Sequence, residues 1–311
     1  MSLVEMQSCL ARLYVSKTFR ALVRGDAQAA LAGYALTGEE AAAIEAVDPN
    51  MLDVFAATLV GKRRKRFERA YPASFAQHGA ALHAVLRRFL EIHPASPATK
   101  SHLDMLAFGR FAEETFADHE RYVDWAGDLV RFERLSCDAT FGQPAAEAGD
   151  APAEDTPPPP ALAGLPALLP GVVIDDYRYD VVALEAALRA GDTVPDDTAV
   201  ARTTIVFRPG RLEEGQQMLR VNGATALVLR RCDGELTVGE IVTAVQSELR
   251  APDLTDPIRD AIGRLQGLRV LSITGGEPGH DLVHAVSGRH PRPRIRARVP
   301  ARDRQLDPRR G

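Results

Sequence analysis

"MLRVNGATALVLRRCDGELTVGEIVTAV", residues 218–245, decides how the C-terminal half of the chain folds. Met218–Val221 opens it as a short strand. Asn222-Gly223 turns the chain into a helix, and Cys232-Asp233-Gly234 turns it again into a second one. Asn and Asp bond their own backbone at such corners, so they read as turn and cap residues, and Gly234 accepts the tight conformation of the turn. Thr237 with Glu240 three residues on is a capping box. The stretch carries no cluster of catalytic groups.

Upstream, 171–180 is strand-like, 181–191 is a helix closed by Gly191, and 202–209 is β-rich, with Ile205 and Phe207 alternating onto one face. A third strand covers 215–221. Downstream, helices are expected at 223–232, 237–249 and 255–267, the last opened by Asp256 with Pro257 at its first position, before a final strand at 269–273. A three-stranded sheet followed by three helices describes a winged helix-turn-helix.

Residues 1–142 read as all helix, with six or seven helices and no sheet. Leu3, Met6, Leu10, Leu13 and Tyr14 share a face, Thr37 and Glu40 form a second capping box, and Pro72 stops or restarts a helix. Ser101 or Thr99 is the expected cap of the helix that follows the 93–100 loop. Residues 143–170 hold eight Pro and four acids with no Lys or Arg, and read as an extended linker. The fold class is therefore α+β: a helical domain (1–142), a Pro-rich linker (143–170), a winged helix (171–286) and an Arg/Pro tail (287–311).

The net charge of −4 conceals that tail, which has nine Arg against two Asp. An acidic body with a basic tail is not the footprint of a nucleic-acid coat. Cys9, Cys137 and Cys232 are scattered and odd in number, which argues against a disulfide framework or a zinc site and fits a reducing cytosol. No apolar run reaches membrane-spanning length, and the first residues lack the basic start of a signal peptide. No pair of the eight His sits in a metal-ligand motif: His280 and His284, four apart, would share a face on a helix, but Gly275, Gly276 and Gly279 argue for a loop, and no phosphate loop or nucleophile elbow is present. The basic run Lys62, Arg63, Lys65, Arg66 and Arg69 spreads around a helix, as expected of a solvated or partner-facing surface.

Asn222, Ala224, Thr225, Asp233, Gly234, Thr237 and Ile241 give residues 202–273 a resemblance to the PqqD-like family, which recognises the leaders of ribosomally made peptides. Tyr71-Pro72, His93-Pro94-Ala95-Ser96, Asp128-Leu129 and Phe132-Glu133 resemble the helical domain of the partner subunits of multinuclear non-haem iron oxidases. Residues 35–65 resemble instead a short helical module with a Phe-Ala-x-x-Leu-x-x-Lys-Arg motif at its end, at Phe55–Arg63.

Together these resemblances imply a non-catalytic cytoplasmic adaptor without a cofactor of its own. Iron is expected in the partner oxidase, with which the chain would form a heterodimer, and neither nucleic acid nor membrane is expected as a partner. The resemblance implies leader capture as an added strand on Gln217, Met218, Leu219, Arg220 and Val221, against a groove on the last helix formed by Ile258, Ile262 and Leu265. Arg220, Arg259 or Arg264 would pair with acidic leader residues. Tyr71, His93, Trp125 and Phe132 are the expected contacts to the oxidase. A DNA-binding regulator is the alternative, weakened by the near-neutral last helix, where Arg259 and Arg264 face Asp256 and Asp260. An enzyme in its own right is supported by no constellation of residues.

Overall fold

The computed structural model of the chain describes residues 3–93, 100–117, 122–141, 159–210 and 218–275. The Arg/Pro tail, most of the linker, Gln217, Thr99, His280 and His284 lie outside them. The fold is α+β.

The first half holds eight helices among the described residues, rather than six or seven, and no strand. Helices α1 (Leu3–Val15), α2 (Lys17–Gly25), α3 (Ala27–Leu31) and α4 (Gly38–Glu45) bury a small core of Cys9, Leu13, Phe19, Leu31 and Ile44. The Thr37–Glu40 capping box is complete at the start of α4. Helices α5 (Pro49–Ala70), α6 (Pro72–Ile92), α7 (Ser101–Phe116) and α8 (Ala126–Phe141) surround the main helical core, centred on Phe67, Leu86, Phe89, Phe108 and Phe116.

Pro72 restarts the chain, since its missing N–H is no loss at a helix start. The cap comes from far away in sequence. Glu133 on α8 accepts from the N–H groups of Ala73 and Ser74 (2.8 and 3.1 Å) and from the Ser74 hydroxyl (2.5 Å). A carboxyl at a helix N-terminus meets unsatisfied N–H groups and the positive end of the dipole. The expected Ser101 cap is not formed: Ser101 is the first residue of α7, and the residue before it, Lys100, supplies no side-chain cap.

In the second half, strands β1 (Leu165–Leu168), β2 (Val173–Tyr177), β3 (Thr203–Phe207), β4 (Met218–Val221) and β5 (Leu271–Thr274) form two antiparallel sheets, ordered β2-β3-β4 and β1-β5. Helix α9 (Val181–Ala190) follows β2, while α10 (Gly223–Leu229), α11 (Val238–Leu249) and α12 (Thr255–Gly267) lie between β4 and β5. Asn222 caps α10 through the Thr225 N–H, Thr237 and Glu240 complete the box on α11, and Gly234 adopts φ +84°.

Two expectations are corrected. Leu165–Leu168, read as linker, is strand β1, so β5 pairs with it and not with the larger sheet. The carbonyls of Leu162 and Gly164 also accept the first N–H groups of α11, from Gly239 and Val238. An extended segment has unpaired carbonyls, and these groups use them. Pro257 is the third residue of α12, not the first, and Leu254 before it offers no side-chain cap.

The three-stranded sheet is packed on both faces, with β3 the buried strand and β2 and β4 half-buried. Successive side chains of a strand point to opposite sides. Ile205, Phe207, Tyr177, Val173 and Met218 face α8, against Phe132, Leu135 and Ala139. Val206, Ile174, Leu219 and Val221 face the other way, onto the core of α10, α11 and α12. The expectation of one apolar face on 202–209 thus understates β3, a central strand with both faces covered. Trp125 and Leu129 pack on Tyr179, Leu184, Leu188 and Val194 and extend the same joint. No described helix is long and apolar enough to cross a membrane.

Candidate functional site

The two edges of the three-stranded sheet differ. At β2, α8 supplies side chains to the outer backbone groups. Arg131 donates to the carbonyl of Asp176 at 2.6 Å, and Asp128 accepts the N–H of Arg178 at 2.8 Å. Arg131 also pairs with Asp128 (3.2 Å) and Asp175 (3.0 Å), and lies 4.8 Å above the Tyr177 ring. Burial works against the Arg131 charge, but Asp175 and Asp128 outweigh it and raise the pKa further. Burial pushes the Asp175 carboxyl up, and Arg131 pulls it back. The group is a half-buried ionic clasp between the two halves.

The hydrogen-bonding direction alternates along an antiparallel strand. Asp176 and Arg178 use their backbone groups outward, so Val173, Asp175 and Tyr177 are the residues that bond β3. The register Val173↔Phe207, Asp175↔Ile205 and Tyr177↔Thr203 then leaves Thr204 and Val206 to bond β4 at Val221 and Leu219. Met218 and Arg220 therefore turn their N–H and C=O groups away from the sheet. Among the described residues, no side chain or backbone group bonds these outward groups. The Arg220 side chain is 57% exposed and pairs with Asp180 at 2.8 Å. Leu219 and Val221 are half-buried beside it. Ser136 of α8 reaches the Met218 sulfur at 3.1 Å, so the helical half forms one wall behind this edge.

The remaining candidate residues sit elsewhere. Ile258, Ile262 and Leu265 are buried core, because α12 is packed between α10, α11 and β5 and turns its apolar stripe inward. They present no groove. Arg259 donates to the Pro160 carbonyl at 3.1 Å and lies 3.6 Å from Asp256, so the strap before β1 holds it. Gln217 is outside the described residues.

Of the expected oxidase contacts, Tyr71, Trp125 and Phe132 are fully or almost fully buried. Tyr71 donates to the Met105 carbonyl at 2.7 Å, and Gly109 lies so close to its hydroxyl that an added Cβ would sit 2.2 Å away. Trp125 and Phe132 belong to the joint between the halves. Only His93 is exposed. It ends α6, stacks on Phe89 at 4.5 Å, and lends its carbonyl to Arg63 at 2.7 Å. Arg63, taken with the exposed basic run, is instead buried and grips Asp104 with two nitrogens (2.7 and 2.6 Å).

Sequence reasoning missed the Asp128–Arg131–Asp175 clasp. Asp175 lies more than forty residues from Asp128 and Arg131, across the linker, and no local spacing joins it to that pair. All three cysteines are free and buried, and burial pushes the Cys137 and Cys232 thiols up to about 11 and about 12. Neutral thiols of this kind are poor nucleophiles. Among the described residues, no three His, Cys, Asp or Glu side chains converge as a metal-ligand set.

A comparison with models of known protein families finds no match, and a comparison with curated proteins finds none either.

Proposed function

We propose that residues 159–275 are a winged-helix module of the PqqD-like kind and that the chain is a non-catalytic adaptor. It captures the leader of a ribosomally made precursor peptide and presents it to a multinuclear non-haem iron oxidase, a separate cytoplasmic chain that carries the iron. The observation that carries this reading is the outer side of β4, whose outward groups no described residue bonds, in a sheet whose opposite edge is occupied by α8. An extended peptide satisfies such an edge by pairing as a further strand.

The outward N–H and C=O groups of Met218 and Arg220 offer four hydrogen bonds. At about 1 kcal/mol net each, these supply roughly half of the ~8 kcal/mol of a micromolar complex. Side chains supply the rest: the 57%-exposed Arg220 for an acidic residue in competition with Asp180, and the parts of Leu219 and Val221 that the core leaves uncovered for apolar ones. The regulator alternative needs several free cations on α12; Arg259 is held by Asp256 and Pro160, which leaves Arg264 as the exposed cation there, beside exposed Asp256 and Asp260.

The test is co-purification with a candidate oxidase, followed by fluorescence anisotropy of the labelled leader. Proline is tolerated on an edge strand where its N–H would face outward. Arg220→Pro and Met218→Pro are therefore expected to weaken leader binding at least tenfold while the circular dichroism stays native. Equal binding by both variants overturns strand addition. Duplex DNA binding with a steep salt dependence, and no leader binding, favours the regulator.

A further inference from the structure

The helical half carries a groove that β4 and its surroundings do not touch. α1 forms one wall, and α5 with the end of α6 forms the other, enclosing about 990 Å³. The floor is aliphatic: Ala11 and Val15 from α1, Ala57 and Val60 from α5, and Leu90 from α6. Val4 lies at one end, 71% exposed, and Val60 is 43% exposed, so apolar surface faces the open groove. From Val4 to Val15 the wall runs roughly 16 Å, about three helical turns.

The charge of the groove is one-sided. Asp53 is bound by both Arg20 (2.9 Å) and Arg24 (2.7 Å), which hold its carboxyl below the usual range. Arg20 also donates to the carbonyls of Leu13 and Tyr14 at the end of α1, so it is a structural residue. Lys17 and Arg87 line the groove with no ion pair among the described residues, against Glu91 as the other acid. Exposed Lys62 and Arg88 continue the positive surface along α5 and α6. The chain as a whole is acidic, at −4.

We propose that this groove docks a short acidic amphipathic helix of a partner protein. A helix suits it because the walls are helices with no backbone edge to offer. Small side chains at Ala11 and Ala57 leave room for the larger ones of an incoming apolar face, the usual arrangement of helix-in-groove recognition. Lys17 and Arg87 take the carboxylates flanking that face. Tyr14 is the one aromatic residue lining the groove and is already packed on Phe55 at 4.6 Å, so the mostly aliphatic lining favours a peptide's apolar face over a row of stacked bases. The proposal shares no residue with the leader-binding edge and does not rest on it.

The probe is a fluorescein-labelled helix of about four turns, with Leu at i, i+3, i+4 and i+7 positions and Glu on both flanks, titrated with the full chain. Saturable binding is expected, at least tenfold tighter than for the same peptide with Lys in place of Glu. Val60→Asp and Arg87→Glu are each expected to weaken it at least tenfold, and Leu268→Asp, on the far half, to leave it unchanged. The proposal is overturned if the Glu and Lys peptides bind alike or if neither groove variant alters binding. It is equally overturned if single-stranded nucleic acid displaces the peptide, or if sedimentation finds a dimer of the chain that the same two variants dissociate.

Discussion

The outer edges of β2 and β4 belong to one small sheet and have opposite fates. At β2 the outward carbonyl of Asp176 and the outward N–H of Arg178 are held by Arg131 and Asp128. At β4 the corresponding groups of Met218 and Arg220 meet nothing among the described residues. Neither strand's own sequence accounts for this, for both are short and carry charge. The difference comes from α8, which crosses the sheet obliquely: Asp128 and Arg131 at one end lie over β2, and Ser136 reaches Met218 on β4. An edge is closed by what a neighbouring element brings to it, and a sheet closed on one side directs any added strand to the other.

The largest expected effect tests whether α8 and the sheet form one core. Phe132 is 2% exposed, with ring centroids 6.0 Å from Tyr177 and 5.9 Å from Phe207. Phe132→Ala is expected to cost about 3–5 kcal/mol in urea unfolding. An unchanged midpoint would mean that the two edges are not governed by a common core.

Next comes the hold of α8 on α6. Burial pushes the Glu133 carboxyl up to about 7, against the pull of its three hydrogen bonds. Below about pH 4.5 the folded and unfolded chains both keep this proton, and between 4.5 and 7 only the folded chain does. Glu133 thus adds stability at low pH that is lost as the pH rises towards 7, by roughly 3 kcal/mol in all. His78, which burial lowers to about 4, tilts the profile the other way below 6.5. The stability of the native chain minus that of Glu133→Gln isolates the first effect, and it is expected to fall from pH 5 to pH 8. A flat difference would sink this account of Glu133.

A smaller effect reads the edges directly. In native-state hydrogen exchange the Arg178 amide is expected to be protected and the Met218 and Arg220 amides to exchange fast. Asp128→Ala, at a cost of about 1–3 kcal/mol, is expected to release Arg178, while bound leader protects Arg220. Slow exchange at both edges without peptide would abolish the contrast. Smallest of all, Arg220→Ala is expected to change stability by less than about 1 kcal/mol, since the Arg220 side chain is 57% exposed in its pair with Asp180. A larger loss in thermal unfolding would make Arg220 a structural residue.

Local chemistry was legible in the chain. The two capping boxes at Thr37 and Thr237, the Asn222 cap, the restart at Pro72 and the succession β2, α9, β3, β4, α10, α11, α12 all follow from residues close in sequence. The errors fall where distant parts meet. β1 hid in a proline-rich run because its partner β5 lies more than one hundred residues away. Ile258, Ile262 and Leu265 show the same stripe whether α12 faces a groove or a core.

Periodicity, turns and caps are set by the backbone and its nearest neighbours, so the sequence by itself determined the elements, their order and the α+β class. Whether an apolar stripe is covered, whether a strand's outer edge is free, and whether Trp125 and Phe132 meet another protein or the chain's own sheet were decided only by tertiary packing. Burial and hydrogen-bond satisfaction are sums over groups that the chain brings together from afar, and no short stretch contains all of their terms.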